Sequence, residues 1–180
     1  MYTSIKTYIA IILIFAFCPF SFGQSNNFAV GGGIGFGSLM GNFPSQTTFG
    51  GKIFLETIYT LKPFDKFQIS YTFAQKVEKF LPGDNNIKYY SYMHSVGFSG
   101  IFSQLLNPQI NVEEGLGLIL LNDRSFDDIN TLNVGLLFSI SSGINLSRNI
   151  GLLANLDYGL TFTNTNASYF LLMIQGKYYF

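Results

Sequence analysis

The chain has 180 residues, room for one domain or two small ones. Hydrophobic residues make up 48% of it and charged residues only 11%, against roughly 25% in an average soluble protein, which excludes disorder and points to a membrane-associated chain. Ten basic residues balance ten acidic ones, excluding a general nucleic-acid binder, while one Cys (Cys18) and one His (His94) exclude a disulfide scaffold, a Cys-based zinc site and a multi-histidine metal centre.

The first element is an address. Lys6 precedes the apolar run Ile9 to Phe17, followed by Cys18-Pro19-Phe20-Ser21-Phe22-Gly23-Gln24. A positive start, a short apolar core and small residues before a cut describe a secretory signal peptide, here 1–23 with cleavage after Gly23. The run is too short for a helix that must span about 30 Å of hydrocarbon. A lipoprotein signal through Cys18 is the alternative, but it wants a small residue where Phe17 stands. Without Lys6, nine basic residues face ten acidic ones in the mature chain 24–180.

The rest alternates with period two, the signature of strands. Residues 28–37 set Phe28, Val30, Ile34 and Phe36 against Ala29, Gly31, Gly33, Gly35 and Gly37. Residues 51–61 set Ile53, Leu55, Tyr59 and Leu61 against Lys52, Phe54, Glu56, Ile58 and Thr60. Residues 67–75 set Phe67, Ile69, Tyr71 and Phe73 against Gln68, Ser70, Thr72 and Ala74. Residues 89–102 set Tyr90, Tyr92, His94, Val96, Phe98 and Phe102 against Ser91, Met93, Ser95, Gly97 and Ser99. Residues 109–121 set Ile110, Val112, Leu116, Leu118 and Leu120 against Asn111, Glu113, Gly115 and Gly117. Residues 132–146 and 150–162 repeat the pattern most cleanly, and the last strand sets Phe170, Leu172, Ile174, Gly176, Tyr178 and Phe180 against Met173, Gln175, Lys177 and Tyr179.

That predicts eight strands. Short connections at 62–66, 103–108 and 147–149 alternate with longer polar ones at 38–50, 76–88, 122–131 and 163–168, all punctuated by Gly, Pro, Asn and Asp. Short turns on one side and longer loops on the other are the layout of an outer-membrane barrel.

Period two alone does not say which face is outside. A soluble lipocalin-like barrel would bury the apolar face. The lumen of an eight-stranded barrel is only wide enough for side chains to fill it, and the bulky apolar face is too large for it. The opposite face is small and polar, charged only at Lys52, Glu56, Glu113, Asp157 and Lys177, far short of the roughly 25–35% charged residues of a soluble surface. The small polar face is therefore the lumen, and the apolar face meets lipid. Tyr59, Tyr71, Tyr90, Tyr92, Tyr158 and Tyr178 lie on that outward parity, as interfacial girdles would.

With these residues the chain resembles the small outer-membrane β-barrel proteins of Gram-negative bacteria, the OmpX/OmpA-barrel type. The resemblance covers 24–180. It implies an all-β fold, an eight-stranded antiparallel up-and-down transmembrane β-barrel in the outer membrane, with both mature termini in the periplasm. The final Phe180, with Leu172, Ile174 and Tyr178 at alternate positions before it, is similar to the signal read by the barrel-assembly machinery. No peptidoglycan-binding domain is expected after the last strand.

Several residues invite chemistry. The lumen charges Lys52, Glu56, Glu113, Asp157 and Lys177 read as a buried network that plugs the barrel, since buried charges must be paired. Asp157 and Lys177, on adjacent strands in the half nearer the periplasm, are expected to meet, with Glu113 and Glu56 joining them. A proton or ion path is the functional alternative. Glu114 points at lipid by strict alternation; it sits near the periplasmic headgroups, or a bulge resets the phase there. His94 is tested as a lipid A deacylase histidine, which needs an outward Ser two residues away and a nearby acid. Val96 and Tyr92 occupy those places and Ser95 points the other way, so His94 reads as a polar residue at the outer interface.

The run Gly31-Gly32-Gly33-Ile34-Gly35-Phe36-Gly37 lacks the last Gly of a dinucleotide fingerprint and no helix follows it. Its inward glycines make room for bulky residues across the lumen. The loop at 76–88 mixes Lys76, Glu78, Lys79, Asp84 and Lys88 with Phe80 and Leu81, and 122–131 carries Asp123, Arg124, Asp127 and Asp128. The Asp cluster lacks EF-hand spacing and reads as a solvated loop rather than a cation site. The expected role is non-enzymatic: a structural or surface-interaction barrel, alone or as a subunit of an envelope assembly. Its partners would be outer-membrane lipids, lipopolysaccharide, the assembly machinery during insertion and envelope proteins; no cofactor is expected. A lipid A-modifying enzyme and a narrow pore are the alternatives.

Overall fold

The computed structural model describes residues 28–41, 44–57, 62–80, 90–106, 110–124 and 130–180. The signal-peptide reading at 1–23 lies outside them, as do Tyr59, Asp84, Lys88, Asp127 and Asp128. Eight strands follow one another: β1 (Phe28–Met40), β2 (Gln46–Thr57), β3 (Lys66–Lys76), β4 (Tyr92–Leu105), β5 (Ile110–Arg124), β6 (Thr131–Asn145), β7 (Ile150–Thr161) and β8 (Ser168–Tyr179). A 3-10 turn, Val77–Phe80, follows β3. Every strand pairs antiparallel with its sequence neighbours, and β1 also pairs with β8, so the sheet closes on itself. Closure leaves no strand edge with unpaired backbone groups, the condition that hydrocarbon imposes.

The strands run from 11 residues in β3 to 15 in β5 and β6. Eleven residues tilted at about 45° rise about 25 Å, the height of a membrane barrel's apolar band. The outer wall carries that band. Ile34 and Ile53 are each 64% exposed, Ile174 67% and Leu118 61%. An exposed apolar surface this extensive fits lipid and not water. Aromatic clusters ring it toward both ends. Phe64, Phe67, Phe98 and Phe102 pack together near the end that carries the termini, and Phe36, Phe49 and Phe80 near the opposite, loop end.

The connections differ from the sequence reading. The long loop expected at 38–50 shrinks to 41–45, because Ser38 pairs with Thr47 and Leu39 with Gln46. Thr47, Thr48 and Phe49 are strand formers. Gly50, read from sequence as turn chemistry, is a close-approach position inside the sheet, where an added Cβ would lie 2.4 Å from the Phe73 carbonyl oxygen. Likewise β5 runs on to Arg124, so Asp123 and Arg124 belong to a strand and not to a loop. Glu114 keeps its outward parity: the register runs unbroken through Glu113 and Glu114, with Glu114 between Phe102 and Ile140 near the terminus end.

The lumen also departs from a purely small, polar reading. Leu39, Ala74, Met93, Ile119, Leu121, Leu137, Ala167, Tyr169, Leu171 and Met173 form a buried apolar layer toward the loop end. Runs such as Leu118-Ile119-Leu120-Leu121 are apolar on both faces, which hides the inward residues from a period-two count. Gly31 makes room for the Phe54 ring, whose Cζ would lie 2.3 Å from an added Cβ. Phe54 is its partner on adjoining β2, not a residue from across the lumen.

Candidate functional site: the lumen network

Inward parity carries charged side chains from five strands into the lumen: Glu56, Lys66, Glu113 and Lys177 toward the terminus end, Lys52 at the middle of β2, and Asp157 beyond the middle of β7, on the loop side and not in the periplasmic half that the sequence reading expects. Lys52 on β2 reaches Asp157 on β7, with Nζ 2.8 Å from Oδ2. Asn155, two positions before Asp157 on the same face, donates to its other oxygen at 2.8 Å. Lys177 on β8 lies 2.5 Å from Glu56 Oε2 and 3.0 Å from Glu113 Oε2. Glu56 accepts a second bond from Gln68 Nε2 at 2.9 Å. Glu113 also accepts from Lys66 on β3. Three ammonium groups thus face three carboxylates in a neutral cluster, the arrangement that lets charges stay buried.

Asp157 and Lys177 do not pair with each other. The β7–β8 register sets Asp157 opposite Leu171 and Lys177 opposite Gly151, well apart along the strands. Each instead finds its partner across the lumen, which a linear reading cannot see. The Phe54 ring stands between the two halves of the cluster, 5.9 Å from Lys52 Nζ and 6.0 Å from Lys177 Nζ. Lys66 is the member that the sequence reading missed. The turn chemistry of 62–66 places it in a connection, yet it shares the inward parity of Gln68, Ser70 and Thr72. Extending the strand back by one residue would have found it.

Among the described residues the lumen is packed. Glu56, Gln68, Glu113, Gln175 and Lys177 line a cavity of about 10 Å³, room for one water at most. Above it lies the apolar layer. At the loop end Asp123 accepts from Asn133 Nδ2 at 2.6 Å and from Thr165 Oγ1 at 3.1 Å, so the β7–β8 loop is tied over the lumen. This also explains why a polar stretch continues as strand: Asp123, fully buried, has its partners inside the barrel rather than in water.

Outside the lumen, His94 sits on the outer wall, its Nδ1 2.5 Å from the Tyr71 hydroxyl. Ser95 lies on the opposite face and is 2% exposed. The cross-strand neighbours of His94 are Phe73 and Asn122. Among the described residues no serine–histidine–acid arrangement forms there. No group of three or more His, Cys, Asp or Glu that could hold a metal occurs among them either. Leu172, Ile174 and Tyr178 alternate along the outer wall of β8, and the Phe180 amide donates to the Phe28 carbonyl at 3.0 Å.

No family model and no curated protein sequence matches the chain. Solved structures do. The neisserial surface protein A, NspA, superposes with a TM-score of 0.68 at 17% identity, over 88% of this chain and 100% of that one. Ail, the attachment invasion locus protein of Yersinia pestis, gives 0.56 at 13% identity, over 87% and 100%. The outer membrane enzyme PagL gives 0.51 at 12% identity, over 83% and 97%. Identities this low speak for the fold, and the closed register and apolar outer wall agree with it: the chain has the fold of the small eight-stranded transmembrane β-barrels of outer membranes.

Proposed function

We propose that the protein is an integral outer-membrane barrel with a non-enzymatic structural or surface-interaction role, acting alone or within an envelope assembly. The observation that carries this reading is the closed lumen. A neutral cluster of buried ion pairs, an apolar layer and the tie from Thr165 to Asp123 fill the lumen among the described residues. Function is then left to the outer wall and the loops. In this reading 1–23 is a signal peptide, 24–180 is the barrel, and the termini face the periplasm. Leu172, Ile174, Tyr178 and Phe180 present the signal to the assembly machinery. Lipids, lipopolysaccharide and envelope proteins are the partners. A structure of Ail in complex with the heparin analogue sucrose octasulfate supports surface binding of polyanions as one use of such a scaffold.

The test is conductance. Purified full-length protein in planar bilayers should stay electrically silent, and stable stepwise conductance would overturn the closed-lumen reading in favour of a pore. The enzymatic alternative predicts a changed lipid A mass spectrum on expression; the present reading predicts an unchanged one.

A further inference from the structure

We propose that the cavity in the lumen is a binding site for one structural water, which bridges Gln68 on β3 to Gln175 on β8 and so fastens the closing strand across the barrel. The inference goes beyond the proposed role and rests on the geometry of the lumen alone.

Two buried amides each leave one end unanswered. Gln68 is 6% exposed and Gln175 3%. Both line the cavity of about 10 Å³. Among the described residues, Gln68 Oε1 and Gln175 Nε2 meet no hydrogen-bond partner, and so they are not bonded to each other. Buried polar groups in folded proteins are answered by protein or by ordered water in the great majority of cases. Two unanswered ends on one small cavity therefore call for a common partner.

Each amide is held at the cavity by a neighbour. Gln68 Nε2 donates to Glu56 Oε1 at 2.9 Å. A carboxylate ion-paired with Lys177 accepts and does not donate, which fixes the Gln68 amide and makes its unanswered end an acceptor. Gln175 lies beside Gly33 in the β1–β8 register. A Cβ added to Gly33 would stand 2.5 Å from Gln175 Cγ, so the missing side chain makes room for the Gln175 stem. In the barrel β1 and β2 separate β8 from β3, and no ladder bond joins the two strands. Their link has to run through the lumen.

Size and charge select the ligand. A volume of about 10 Å³ is what one water needs, and it excludes anything larger. The ion pairs around the cavity already balance, with three ammonium groups on three carboxylates. An added cation would face the Lys177 ammonium, and an added anion would face Glu56, Glu113 and the Gln68 carbonyl oxygen. Water is neutral, and it both donates and accepts. It answers Gln68 Oε1 as a donor and answers Gln175 in either orientation of that amide. Phe54, Ile101 and Leu153, all buried, complete the wall.

Two measurements on the full-length protein test the site. A high-resolution crystal structure of the refolded barrel should show one water within hydrogen-bond distance of both Gln68 Oε1 and the Gln175 amide. A cavity without that density, or the two amides bonded directly to each other, would overturn the site. The second measurement is a double-mutant cycle of Gln68→Met and Gln175→Met, read by urea unfolding in phospholipid vesicles. The Gln68–Glu56 bond is lost on both sides of the cycle and drops out. The double variant should raise the unfolding constant about tenfold less than the product of the two single effects, the scale of one buried hydrogen bond. Effects that multiply to within about twofold would overturn the bridge even if the water is present. Heat-modifiable gel mobility shows that each variant is folded, and the wild-type crystal structure stands as the test should a variant not fold.

Discussion

Replacing Lys52 by Met separates a structural ion pair from an incidental contact. The Lys52 ammonium lies 2.8 Å from Asp157, and the two side chains are 1% and 0% exposed. Lys52→Met keeps the volume and removes the charge. Asp157 is then a buried carboxylate with the Asn155 amide as its remaining side-chain donor. Breaking one side of a buried pair costs about 3–5 kcal/mol. At an m-value near 2 kcal/mol per M in urea, that lowers the unfolding midpoint by about 2 M. Asp157→Asn should be destabilising too, since it strands the ammonium, although it keeps an acceptor for Asn155. The double variant removes both charges and should recover most of the loss, a non-additivity of about 2–3 kcal/mol. The assay is urea unfolding and refolding in phospholipid vesicles, followed by far-UV circular dichroism and by the mobility difference between folded and heat-unfolded protein. The chain has no Trp, so tyrosine emission replaces the usual fluorescence probe. Single variants that each cost under about 1 kcal/mol, or a double variant that costs their sum, would refute the pair as a coupled unit.

The remaining expectations use the two faces of the wall. Leu118→Arg, at mid-height on the lipid side of β5, should cost about 2–4 kcal/mol, while Leu132→Arg, at the loop end of β6, should cost about 0–1 kcal/mol; the same urea titration compares them. Leu137→Ala opens a cavity in the buried apolar layer and should cost about 2–5 kcal/mol. Leu120→Ala on the outer wall should cost far less, because lipid tails are as apolar as Leu and fill the space. Deleting Phe180 should lower the amount inserted in living cells, measured by outer-membrane fractionation, while purified protein still refolds into vesicles unaided; normal insertion would refute the assembly-signal reading.

Most of the architecture is legible in the sequence, because a barrel wall is a period-two problem. One face must match lipid and the other must fit a narrow lumen, so alternation names the strands and the composition of the two faces orients them. Lys52, Glu56, Glu113, Asp157 and Lys177 could be assigned to the lumen by parity alone. Lys66 could not, since Pro63 and Asp65 made its neighbourhood look like a turn. The apolar inner layer around Leu137, Tyr169 and Leu171 was invisible for a related reason: where both faces are apolar, alternation carries no signal.

The sequence alone therefore determined the class of the fold and which residues face inward, since both follow from local chain geometry and the polarity of the surroundings. Only the closed barrel decided who meets whom. Strand tilt and register bring Lys52 to Asp157 and Lys177 to Glu56 and Glu113 across the lumen, and they set Asn122 beside His94 and Arg124 beside Tyr92 on the wall. Those are contacts between residues far apart in the chain, fixed by how eight strands stagger as they close, and no local pattern encodes that stagger.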